Sequence, residues 1–101
     1  MRYLTLAADY GALSLRDEEV GAVDLVDLDA PSDLVNDLVA WNERYQPIVP
    51  MDMEDRQAAP AAATIDELDR LGIALAKRVA AAIGSGAKVK YYSEGRLRQM
   101  P

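Results

Sequence analysis

A chain of 101 residues has room for one domain with a modest core; lacking phenylalanine, it must build that core from Leu, Val, Ile, Tyr and the single Trp41. With no cysteine and no histidine, disulfides, thiolate or imidazole metal sites, and Ser-His-Asp or Cys-His catalytic arrangements are excluded. The net charge of −6 is unevenly spread: residues 1–69 hold 16 Asp/Glu and 4 Lys/Arg, whereas residues 70–101 hold 1 and 7.

Tyr3 to Ala8 is short, apolar and partly β-forming, and reads as an N-terminal strand that turns out at Asp9-Tyr10-Gly11. Ala12 to Leu15 can continue a strand, and Asp17-Glu18-Glu19 then forms an acidic loop. Val23, Leu25, Val26 and Leu28 fit neither a period of two nor a long helix, so an irregular or short extended segment is expected over 22–29.

The first helix starts at Ser32 as N-cap, with Pro31 before it and Asp33 in the positive first turn. Leu34, Leu38, Trp41 and Tyr45 make its apolar stripe, widened by Val35 and Val39, and Pro47 ends it. Three prolines and a charged centre make residues 46–63 a long loop. Thr64-Ile65-Asp66-Glu67 has the form of a capping box and opens the second helix. Ile65, Leu68, Leu71, Leu75, Val79, Ala82 and Ile83 form its apolar stripe, and Gly84 suits its end. Gly72 within that stripe implies close approach of another element.

Lys88 to Ser93 alternates as a strand with one wet face, and Arg96 to Pro101 reads as a basic tail free to fray. The expected fold is α+β, with residues 1–101 as a single domain. The N- and C-terminal strands pair in a small antiparallel sheet, and two main helices pack on one face. No apolar stretch of signal-peptide type follows Met1-Arg2-Tyr3-Leu4, and no run approaches membrane-span length, so cytoplasmic residence is expected.

No constellation points to chemistry. Glu18, Glu19, Asp24, Asp27 and Asp29 match no Ca²⁺-loop spacing and have no glycine at the required turn. Paired carboxylates without a large cleft or aromatic sugar platforms do not make a glycosidase. No enzyme activity, cofactor or metal is therefore expected. Lys88, Lys90, Arg96 and Arg98 with Tyr91 and Tyr92 have the composition of a nucleic-acid patch, but lysines protecting an edge strand account for Lys88 and Lys90 equally well. Trp41 and Tyr45 lie on the main apolar stripe and read as core rather than as a binding hot spot.

Three stretches form a familiar set: Leu4-Thr5-Leu6-Ala7-Ala8-Asp9-Tyr10-Gly11, Ala40-Trp41-Asn42-Glu43-Arg44-Tyr45 and Gly72-Ile73-Ala74-Leu75-Ala76-Lys77-Arg78. Together they resemble small bacterial immunity proteins of contact-dependent growth inhibition and related polymorphic toxin systems, including those of Burkholderia-like bacteria. The resemblance covers most of the chain. It departs after Gly11, where such proteins are richer in Trp and Asp, and in the Ala- and Met-rich segment between the helices, so no contact residue is carried over from it.

The resemblance implies a protein that binds and neutralises a cognate toxin domain in the cytoplasm. Many such toxins are nucleases, for which RNA is one substrate, and their basic active-site surfaces suit an acidic inhibitor. The acidic balance of residues 1–69 agrees with this from the charges alone, since it repels nucleic acid and anionic membrane and attracts basic proteins. The expected contact surface is Asp17, Glu18, Glu19, Asp24, Asp27 and Asp29, with Asp52, Glu54 and Asp55 as a second patch beside Met51 and Met53. The alternatives are a small-molecule-binding or regulatory accessory domain with a cleft beneath the long loop, and a nucleic-acid-binding regulator acting through the basic C-terminal segment.

Overall fold

Leu4 and Leu6 alternate with more exposed neighbours along Tyr3–Ala7, which forms strand β1 and becomes the centre of a five-stranded sheet. The computed structural model describes residues 2–28, 30–84 and 86–100. Ser14–Asp17 is β2, a separate strand rather than a continuation of the first, and Gly21–Ala22 is a short β3. Leu25–Leu28 is one turn of 3-10 helix, which accounts for apolar spacing that fits neither regular period.

Helix α1 spans Ser32–Tyr45 and buries Leu34, Leu38, Trp41 and Tyr45, the stripe read from sequence. Its N-cap is Pro31, with no side-chain cap, so Ser32 is the first helical residue and not the cap expected of it. The segment read as a loop contains a helix, α2, over Met53–Gln57, because the Asp52 carboxylate accepts the Asp55 N–H and starts a turn. Helix α3 spans Ala61–Ile83. It starts three residues before Thr64, because alanine is the best helix former and Ala61–Ala63 extend the helix to Pro60. The Thr64 capping box is therefore displaced from the helix end. Leu71 and Ala82 are exposed rather than part of the buried stripe, and Gly84 caps the helix at φ 66° with its N–H on Ala80 O.

Lys88–Ser93 is β4 and Arg98–Met100 is β5. The strand order is β3-β2-β1-β4-β5. The architecture is α+β, but the sheet is mixed, which corrects the antiparallel pairing expected of the end strands. β1 and β4 pair in parallel, with Leu4 opposite Val89 and Leu6 opposite Tyr91. The chain returns over the sheet through α3 before entering β4, and a crossover of that kind delivers the next strand parallel. The antiparallel partners are β2 on β1, β3 on β2 and β5 on β4.

Register puts Leu4, Leu6, Leu15, Tyr91 and Ser93 on one buried face of the sheet. α3 packs on β4 and β1, and α1 packs on α3. The opposite face carries Tyr3, Arg16, Lys88 and Lys90, all exposed. Gly72 lies where α3 meets Trp41 and Tyr91: a Cβ there would sit 2.9 Å from Trp41 Cζ2 and 2.6 Å from Tyr91 Cζ. The close approach inferred from sequence is therefore to helix α1 and to the sheet at once. Trp41 stacks edge-on with Tyr45 and Tyr91 at centroid distances of 5.7 and 5.9 Å, and its indole N–H donates to Leu68 O at 2.9 Å.

Candidate partner-binding surface

The fold separates the eight described carboxylates among the nine named from sequence into structural and exposed groups. Asp17 closes β2 and is buried. Its Oδ1 accepts the Glu19 N–H at 2.8 Å and its Oδ2 the Arg2 Nε–H at 3.1 Å. The backbone bond above all, and Arg2 with it, hold this carboxyl below the usual carboxylate range against the opposing effect of burial. Asp17 therefore shapes the β2–β3 turn instead of standing free, as its place in an acidic run had led us to expect.

Glu18 is exposed, 4.0 Å from Lys90, and Glu19, Asp24 and Asp27 are exposed near it in sequence. Asp29 lies outside the described residues. In the second patch Asp52 caps α2, while Glu54 and Asp55 are exposed in its first turn, where the helix dipole favours them. Among the described residues, no group of three or more Asp/Glu is placed to hold a metal ion. Among these residues, too, no helix is long and apolar enough to cross a membrane.

The charge polarity along the sequence is largely folded back on itself. Arg78 pairs with Asp37 at 2.7 Å and Asp33 at 3.6 Å, Arg44 with Glu67 at 3.2 Å, and Arg96 with Asp66. Arg78 and Arg96 of the basic segment, together with Arg44 of α1, thus pair with Asp33, Asp37, Asp66 and Glu67 on α1 and α3, while Glu19, Asp27, Glu43, Glu54 and Asp55 stand outside every ion pair among the described residues. The basic and aromatic set near the C-terminus is dispersed by the same fold: Tyr91 is buried and Arg96 is committed to Asp66.

Sequence reasoning missed three features. The first is a cleft of about 640 Å³ between the β1–β2 loop, the segment after β3 and α1. Leu13, Val23, Leu25 and Val39 line it, and it holds Asp24 and Glu43 but no Lys or Arg. It is not the cleft expected beneath the 46–63 segment. The second is the anchoring of the β1–β2 loop onto α1. Asn42 Oδ1 accepts the Asp9 N–H at 3.0 Å. Gln46 accepts the Gly11 N–H at 3.0 Å and donates to Asp9 O at 2.7 Å. Two amides four residues apart on one helix face were the available signal.

The third feature is a buried carboxyl, Asp69, whose Oδ1 accepts the hydroxyls of Tyr45 and Tyr91 at 2.7 Å each and whose Oδ2 accepts Ser93 at 2.8 Å. Burial, reinforced by the bond to Asp69, pushes the Tyr45 hydroxyl up to about 12. The same causes raise Tyr91 further. Its signal was a carboxylate four residues after Ile65 and three before Gly72, within the apolar stripe. Every group in this cluster is satisfied internally and shut from solvent, so it holds α1, α3 and β4 together and is not a reactive centre.

No curated protein matches the chain. The model of the Serratia CdiI immunity protein-like family matches residues 2–94. The chain belongs to that family. An immunity protein of contact-dependent growth inhibition acts by binding a cognate toxin. The match spans β1 through β4, and so includes the cleft, the anchored loop and the Asp69 cluster alike.

Proposed function

We propose that the chain binds a cognate toxin domain in the cytoplasm of the producing cell and neutralises it by covering a basic active-site surface, the toxin being a nuclease, with RNA as the substrate to test first. The observation that carries this reading is the family match, and the carboxylates left outside ion pairs give it a physical route. A nuclease needs cationic groups to grip phosphates, and an acidic protein competes for the same groups. On this reading the contacts come from Glu19 and Asp27, which are exposed and outside ion pairs, with the exposed Glu18 and Asp24 beside them in sequence, and from the exposed Glu54 and Asp55.

The test is co-expression with the toxin domain encoded beside it, followed by growth, RNA-integrity and binding-rate measurements. The chain should restore growth and protect RNA. Changing Glu18, Glu19, Asp24 and Asp27 to Gln or Asn should lower the association rate about 10-fold at low salt, and added salt should slow the wild type more than the variant. A chain that neither binds the toxin domain nor rescues growth would sink the proposal.

A further inference from the structure

We infer that the cleft between the β1–β2 loop and α1 receives an arginine or lysine side chain of the toxin, with Tyr10, which is not a lining residue but directly precedes the lining Gly11, as an aromatic anchor beside it. This rests on the immunity reading and deepens it.

Shape and lining point to the occupant. At about 640 Å³ the cleft holds more than one side chain. Its wall is apolar, from Leu13, Val23, Leu25 and Val39, while Asp24 and Glu43 bring carboxylates and no lining residue is a cation. An apolar wall with acidic groups suits a long aliphatic stem ending in a positive charge. A wholly apolar occupant would desolvate the Glu43 carboxylate without compensation, and an acidic one would be repelled.

Preorganisation is the second observation. Tyr10 is 82% exposed, the most exposed large apolar side chain among the described residues, yet the backbone on both sides of it is fixed. Asn42 holds the Asp9 N–H and Gln46 holds the Gly11 N–H, so two buried or half-buried amides of α1 clamp the residues flanking Tyr10. The Tyr10 N–H also bonds the Asp9 carboxylate at 2.7 Å. An aromatic ring presented on a loop that is already ordered loses little entropy on binding, which is the property of a hot spot. The ring face also attracts a guanidinium or ammonium directly. Val39, 46% exposed on α1, gives the cleft an apolar wall that water covers in the free chain.

The experiment measures association and dissociation of the full chain with the toxin domain encoded beside it. Tyr10→Ala, Val39→Arg and Glu43→Gln are compared with wild type and with Leu71→Ala, an exposed apolar residue on α3 outside the cleft. Melting curves should match wild type for the Tyr10, Val39 and Glu43 variants, because these side chains are exposed. Tyr10→Ala and Val39→Arg should speed dissociation at least about 30-fold, Glu43→Gln about 5-fold, and Leu71→Ala should change nothing. An alanine scan of the toxin's Arg and Lys residues should find one whose loss is not additive with Val39→Arg. Wild-type affinity in both Tyr10→Ala and Val39→Arg, with the wild-type complex intact, overturns the cleft while leaving the immunity reading standing. Absence of any wild-type complex overturns both. Dimers of the free chain that Val39→Arg dissolves would place a second copy in the cleft and also overturn the inference.

Discussion

The hydroxyl of Tyr91 lies 2.7 Å from Asp69 Oδ1, tying β4, the parallel neighbour of the central strand, to the middle of α3 through a carboxyl that water does not reach. Tyr45 brings α1 to the same oxygen, and its hydroxyl in turn accepts the Gly95 N–H at 3.0 Å. Tyr91→Phe removes one of three donors and is expected to cost about 1 kcal/mol. Asp69→Ala strands three hydroxyls at once and should cost about 3 kcal/mol or more in urea denaturation.

Alkaline pH attacks the same cluster. The folded state raises the tyrosine hydroxyl of Tyr45 to about 12, and raises Tyr91 further, mainly by burial. An unfolded tyrosine releases its proton near pH 10, so the stabilisation is complete below about pH 10 and is lost as pH rises toward the folded value. The phenolate absorbance assigned to Tyr45 and Tyr91, by difference from their Phe variants, should rise together with loss of far-UV circular dichroism and not before it.

Gly72→Ala sets helix propensity against packing. Alanine gains about 1 kcal/mol in a helix over glycine. Here the added methyl would overlap Tyr91 and Trp41, two rings locked in edge-on contact with each other. Overpacking of that kind costs about 1–3 kcal/mol, so a net loss of stability is expected in thermal melts, with weakened near-UV dichroism from a displaced Trp41.

Arg56 is buried and spends its guanidinium on backbone: Nε–H on Met51 O at 3.0 Å, Nη2–H on Val49 O at 2.8 Å, and Nη1–H on Glu94 O. It pins α2 to the β4–β5 turn, with the Glu94 carboxylate 3.6 Å away. Lysine cannot reproduce this fork, so Arg56→Lys should cost nearly as much as Arg56→Ala, about 2–4 kcal/mol. Limited proteolysis should then cut within residues 47–59 first.

Asp17 gives an acid-side prediction. Its depressed carboxyl contributes stability above about pH 4, where an unfolded Asp is ionised, and that contribution disappears as pH falls through the folded value. Asp17→Asn should lower the melting temperature at pH 7. The gap to wild type should close on acidification, which melting curves between pH 7 and pH 3 will record, each pH being set to about 0.1 units.

Local signals carried much of this protein. The stripe Leu34, Leu38, Trp41 and Tyr45, the stripe of α3 apart from Leu71 and Ala82, the alternation of Lys88–Ser93 and the tight site at Gly72 are periodic or steric properties of short windows, and each appears in the fold. Family resemblance was legible too, in stretches that lie within the matched residues. What a window cannot contain is direction and partner. Whether β4 lies parallel or antiparallel to β1 depends on how the intervening chain crosses the sheet, and whether 98–100 is a tail or a strand depends on a neighbour with open backbone groups. Charge behaves likewise. Asp17 reads as part of a solvated acidic run until Arg2 closes on it, the roles of Asp69 and Arg56 emerge only when three hydroxyls and a set of carbonyls meet them, and the acidic half loses much of its field to Arg44, Arg78 and Arg96. An electrostatic interaction is set by distance in space, so only the folded chain could separate carboxylates that build the structure from those left to meet another molecule.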